Sequence, residues 1–159
     1  MPLETVSRHE IKSGKHDIDM VKAETKAAEE KAKATTAAVK STGKAHEDLV
    51  KAAGKEAVST AKTEAKMAEE KAKAKVKAAN ERDPNLIFDN DEVKAAKAHR
   101  DMVKEAGKAH VDQVKTAADT AEERAKADRK QAEAAAKANA DHIEARGDTN
   151  VKLAKATMK

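Results

Sequence analysis

The sequence predicts an all-α fold: two very long, alanine-rich helices folded into an antiparallel helical hairpin, a coiled coil with eleven-residue 3-4-4 repeats. Three observations carry this. The 159 residues are 39% charged and include one aromatic residue and no cysteine. Small and β-branched residues recur along both halves at spacings of three and four. One central stretch, residues 80–92, holds the only phenylalanine, one of the two prolines and the apolar run Leu86-Ile87-Phe88.

The composition limits what kind of fold can form. A compact globule needs large side chains at its centre, and here alanine supplies most of the 39% apolar content. Each buried methyl contributes roughly 1 kcal/mol or less, well below a leucine. A thin structure, or one that orders only on association, fits such a chain. Net charge is +4, from 33 basic and 29 acidic residues, and the signs are mixed along both halves as on a solvated helix surface. A nucleic-acid binder segregates its basic residues and adds aromatics for stacking, so nucleic-acid packaging ranks third among the readings.

Residues 1–16 are expected to form a separate N-terminal arm. Its apolar points are Leu3, Val6 and Ile11, and Ser13-Gly14 interrupts it. Its start lacks the basic-then-apolar run of a secretory signal, and no apolar run approaches ~18 residues. The expectation is a soluble cytoplasmic protein, or one carried in an intracellularly assembled particle.

The first long helix is expected over 17–80, which contain no proline and consist mostly of strong helix formers. Its stripe visits Val21, Glu24, Ala28, Ala32, Thr35, Val39, Gly43, His46, Val50, Gly54, Ala57, Ala61, Ala65, Ala68, Ala72, Val76 and Ala79. The 3-4-4 spacing corresponds to about 3.67 residues per turn and predicts a nearly straight or slightly right-handed supercoil. Gly43 and Gly54 would each cost roughly 1 kcal/mol in an isolated helix. On the contact face they let another backbone come close. A seam of alanine and glycine implies closely spaced helices.

Residues 81–90 form the expected hairpin tip. The residue before Pro84 is biased out of the helical region. Asp89 with Glu92 three positions on is a capping-box pattern, and Asp91 adds charge suited to a helix N-terminus.

The second helix is expected over 91–159. Its stripe is Val103, Gly107, His110, Val114, Ala118, Ala121, Ala125, Arg129, Ala132, Ala136, Ala140, Ile143, Gly147, Val151, Ala154 and Met158. Residues 146–150, R-G-D-T-N, are its weakest stretch and the expected place for a kink or fray. Residues 44–74 align without gaps on 97–127, with nineteen of thirty-one positions identical. This is internal duplication of a helical unit. Folding at the tip lays the copies antiparallel about a local pseudo-twofold. Glu-before-Lys pairs at i,i+4 (Glu29–Lys33, Glu47–Lys51, Glu69–Lys73, Glu122–Lys126) support the helix surfaces.

Few residues suggest chemistry. His99 and His110 lie three helical turns apart, about 16 Å, too far to share a metal. His46 and His99 are equivalent copies, and His16 with Asp19 is the one His–carboxylate pair at i,i+3. Polar seam residues that hold register are the favoured role for the histidines. Glu24 and Arg129 bring charge into the stripes, either to set register or to sit at the seam's edge. The acids around the tip do not follow the spacing of a calcium loop. Arg146-Gly147-Asp148 spells an adhesion tripeptide, but with its glycine on a predicted helix seam. There is no phosphate loop, nucleophile elbow or metal-binding helix. The carboxylates are expected on solvated faces where nothing shifts their pKa. No catalytic residue, cofactor or metal is expected, and the chain is read as no enzyme.

The candidate functional residues are therefore structural. They are the helix seam, Val21, Val39, Gly43, Val50, Gly54, Val76, Val103, Gly107, Val114, Ile143, Gly147 and Val151, and a partner-docking tip, Leu86, Ile87 and Phe88. The tip has two readings: closure of the seam's open end, which is favoured, or insertion into a partner.

The Ala/Lys/Glu/Thr composition, the eleven-residue period and stretches such as 62–79 (K-T-E-A-K-M-A-E-E-K-A-K-A-K-V-K-A-A) resemble the group 3 late-embryogenesis-abundant proteins. That resemblance implies a protectant, disordered when hydrated and helical on drying or at membranes. The regular Val/Gly/Ala stripe and the apolar tip depart from it. The favoured function is a non-enzymatic structural or assembly protein, a homo-oligomer or a subunit of a larger cellular or viral particle. The alternative is a stress protectant or lipid-surface binder, although a seam without aromatic anchors would bind lipid weakly.

Overall fold

The structure is a computed structural model that describes residues 3–81 and 90–157, with side chains over 14–81 and 91–157. Two α-helices make up the described chain: α1, Leu3–Glu81, and α2, Asn90–Ala156. They pack against each other antiparallel, as the hairpin reading requires.

The N-terminal boundary differs from expectation. Helix α1 begins at Leu3 rather than at 17, so Ser13-Gly14 does not separate an arm from it. One glycine among good helix formers costs only about 1 kcal/mol, too little to end a helix without a proline. At the other end α1 stops at Glu81, shortly before Asp83-Pro84. Helix α2 opens with Asp91 and Glu92 in its first turn, carboxylates that favour the positive end of the helix dipole. Leu86, Ile87, Phe88, Asp89 (the expected cap) and Met158 lie outside the described residues. The weak stretch 146–150 stays helical, and α2 closes in a turn where the Thr157 amide donates to the Leu153 carbonyl at 3.1 Å.

The chain forms two compact units, His46–Lys126 and Met1–Ala45 with Ala127–Lys159. Within His46–Lys126, Gly54 meets Ala118 and Gly107 meets Ala65. Within the other unit, Gly43 meets Arg129, Gly147 meets Thr25, and the Thr36 hydroxyl donates to the Ala136 carbonyl at 3.4 Å. The members of every one of these pairs are equally far along the chain from position 86.

The core is thin. Among the described residues the buried hydrophobics are Ala32, Ala61, Ala72, Val76 and Ala125, and no large side chain is fully buried. Met20, Leu49, Met67, Met102 and Leu153 remain 50–69% exposed. No helix among the described residues is long and apolar enough to cross a membrane.

Candidate functional site

The seam is where the structure concentrates contact. All twelve seam residues singled out above (Val21, Val39, Gly43, Val50, Gly54, Val76, Val103, Gly107, Val114, Ile143, Gly147 and Val151) are half-buried or buried. Nine positions of the predicted stripes are displaced by one residue, while Ala79, Ile143 and Ala154 keep their places. Glu24, Ala28, Thr35, His46, Ala57 and Ala68 are exposed, and Thr25, Glu29, Thr36, Glu47, Val58 and Glu69 take their places. On α2, His110, Ala121 and Ala132 are exposed while Val111, Glu122 and Glu133 are half-buried. The step order along the seam is shifted by one residue at these positions, several of which carry long side chains. A glutamate can lay its methylenes over a neighbour and keep its carboxylate in water, which a polarity-based reading scores as outside. Val58 and Val111 are the signal that could have revealed the phase, since they are larger than Ala57 and occupy the same place in both copies.

This shift also corrects the role expected for the histidines. His16, His46, His99, His110 and His142 are all exposed, so none holds register inside the seam. Among the described residues no group of three His, Cys, Asp or Glu side chains could hold a metal ion. Of the two stripe-breaking charges, Glu24 points to solvent, whereas Arg129 lies half-buried on the seam. Its stem covers Gly43, and its guanidinium donates to Glu133 at 3.0 Å.

The seam glycines serve proximity. None has positive φ, so none is needed for backbone freedom. A Cβ on Gly54 would stand 3.0 Å from the Ala118 Cβ, and one on Gly107 would stand 3.0 Å from the Ala65 Cβ. A Cβ on Gly147 would run into the Thr25 Cγ2. Such approaches bring backbones close enough for Thr36 to reach across to the Ala136 carbonyl while also bonding Ala32 in its own helix at 2.9 Å.

The duplication reappears as duplicated contacts in His46–Lys126. Gly54 and Gly107 are equivalent by sequence, as are Ala65 and Ala118, so the two glycine contacts are one contact made twice. Charge repeats likewise. Glu122 pairs with Lys126 at 2.7 Å and across the seam with Lys51 at 3.6 Å. Its copy Glu69 pairs with Lys73 at 2.9 Å, and the copy of Lys51, Lys104, acts on it from α2. The carboxylates therefore do not all escape perturbation. The Lys73 bond, aided by the charges of Lys73, Lys104 and Lys108, holds Glu69 below its ordinary value against an upward push from desolvation. Glu122 is lowered in the same way by Lys126 and then Lys51. The Glu122 bond, followed by the charges of Glu122, Glu47 and Glu123, raises Lys126. Each shift favours the charged form, the signature of ion pairing. A general acid or base working near neutrality needs a carboxyl moved upward.

Comparison of the chain with protein-family models, curated proteins and solved structures returns no match.

Proposed function

We propose that the chain is a non-enzymatic structural and assembly protein, a long helical hairpin that packs with further copies of itself or into a larger particle inside the cell. The observation that supports this is the balance of burial. Among the described residues, four of the five buried hydrophobic residues are alanines, while five methionines and leucines stay at least half exposed. Helices held by so little apolar area gain stability from further packing. Glycine and alanine on the seam give close approach with little burial per residue.

Sedimentation across a range of concentrations, with circular dichroism on the same samples, tests the proposal. Helicity in buffer that rises with concentration alongside mass supports assembly. A stable, fully helical monomer at low micromolar concentration refutes it. Helix that forms only with anionic vesicles or on drying would favour the late-embryogenesis-abundant-like protectant reading, which rests on composition and period. Salt-dependent DNA binding would favour nucleic-acid packaging.

A further inference from the structure

Two shallow grooves on unit His46–Lys126 are copies of one another. Every residue lining the groove around Ala65 and Gly107 has its duplicated counterpart, fifty-three positions away, lining the groove around Gly54 and Ala118. They share Lys62, Val111 and Asp112, so they form one continuous pseudo-symmetric groove. Its apolar lining includes Val58 and Val111, the valines that the shifted phase brings to the seam, beside the glycines whose missing side chains leave it open. Its walls carry seven lysines against four carboxylates. Two of the carboxylates, Glu69 and Glu122, are engaged with lysines. Lys55, Lys62, Lys66 and Lys115 form no ion pair among the described residues. A net-positive groove repels an identical groove, which argues against groove-to-groove stacking of two copies.

We propose that this groove receives the hairpin tip of a second copy of the chain, with Leu86-Ile87-Phe88 against Val58 and Val111 and the tip's acids against the lysines. The proposal rests on the self-association read above and names its contact. Residues 81–92 carry Glu81, Asp83, Asp89, Asp91 and Glu92 against one cation, Arg82, for a net charge of −4. They also hold the chain's only run of three large apolar residues. The charges are complementary, and an apolar triad matches an apolar floor. A chain's own tip cannot fill its own groove at this place. Lys62 lies nineteen helical residues before Glu81, roughly 29 Å. Leu86 is five residues past Glu81, a reach of at most about 18 Å. The same limit holds on the α2 side, where Lys115 is twenty-five helical residues beyond Asn90, roughly 38 Å. The occupant is therefore the tip of another molecule.

Charge inversion in the full chain tests this. Lys62→Glu with Lys115→Glu alters two exposed, duplicated positions on helix surfaces and should leave helicity intact while weakening association roughly tenfold. Asp89→Lys with Asp91→Lys should weaken it similarly, and combining the two pairs should restore it. The chain has no cysteine, so mixing an Ile87→Cys chain with a Ser59→Cys chain should give a mixed disulfide dimer well above a Lys77→Cys control. Wild-type association that survives both inversions, with no selective cross-link, overturns the docking while leaving the assembly reading intact. A wild-type chain that does not associate overturns both.

Discussion

Of the seam glycines, Gly147 gives the sharpest test of the contact it makes. Replacing Gly147 with alanine should stabilise an unconstrained helix by about 1 kcal/mol, the ordinary propensity gain. Here the new Cβ would run into the Thr25 Cγ2, while the Thr25 Cβ at 3.4 Å would be in ordinary contact. One methyl is thus in the way, and it belongs to a β-branched side chain with few helical rotamers. Relief requires the helices to part or Thr25 to leave its rotamer. Overpacking of this kind costs about 1–3 kcal/mol, so the variant should be destabilised by up to about 2 kcal/mol net. Thermal unfolding followed by circular dichroism at fixed chain concentration reads the change, because association makes the midpoint concentration-dependent. In a Thr25→Ala background the obstacle is gone, and Gly147→Ala should then stabilise by about 1 kcal/mol. Gly43→Ala is the contrasting case. Its obstacle is the Arg129 Cγ at 2.7 Å, in an unbranched side chain that can turn aside only by disturbing its bond to Glu133, so the substitution should cost less than Gly147→Ala. If Gly147→Ala stabilises equally in the wild-type and Thr25→Ala backgrounds, the coupling is zero and Thr25 does not face Gly147.

Other consequences follow from the seam and its ion pairs. Gly54→Ala and Gly107→Ala should change the unfolding midpoint by matching amounts, since each new Cβ meets an alanine Cβ at 3.0 Å; unequal effects would break the duplicated-contact reading. Glu69 and Glu122 have folded pKa values below 4.5, so their contribution is present above that value and lost as pH falls through the depressed ones. The loss of stability as pH falls below 4.5 should be shallower in Glu69→Gln/Glu122→Gln, and identical slopes would contradict the pairing. Lys126 is raised above 10.5, so its contribution is present below 10.5 and lost as pH climbs through the raised value; Lys126→Met should remove that alkaline component. Val50→Ala and Val76→Ala should cost about 1–1.5 kcal/mol each. His46→Ala, one step off the seam, should change stability by less than about 0.5 kcal/mol, and a larger loss would restore histidine to the seam.

The sequence alone determined the helices, the hairpin and most of the seam. Long proline-free runs of helix formers leave the backbone no competing structure, and a stripe of small residues at spacings of three and four narrows the contact face to within one residue. The repeated His-x-Asp-x-Val-Lys and Ala-Glu-Glu segments likewise announced a duplicated unit before any contact was known. The tertiary structure decided what depends on a partner surface. Whether position 24 or 25, 46 or 47, and 57 or 58 faces the other helix turns on a rotation of one residue. Local polarity cannot choose there, because Glu47 and Glu69 can lie over a small neighbour while their charges reach water. Only the opposing helix, with Ala118 against Gly54 and Thr25 against Gly147, selects among phases that are nearly equivalent in isolation. The depression of Glu69 and Glu122 comes first from Lys73 and Lys126, i,i+4 partners readable in the sequence; only the added pull of Lys104 and Lys51 across the seam needed the tertiary structure.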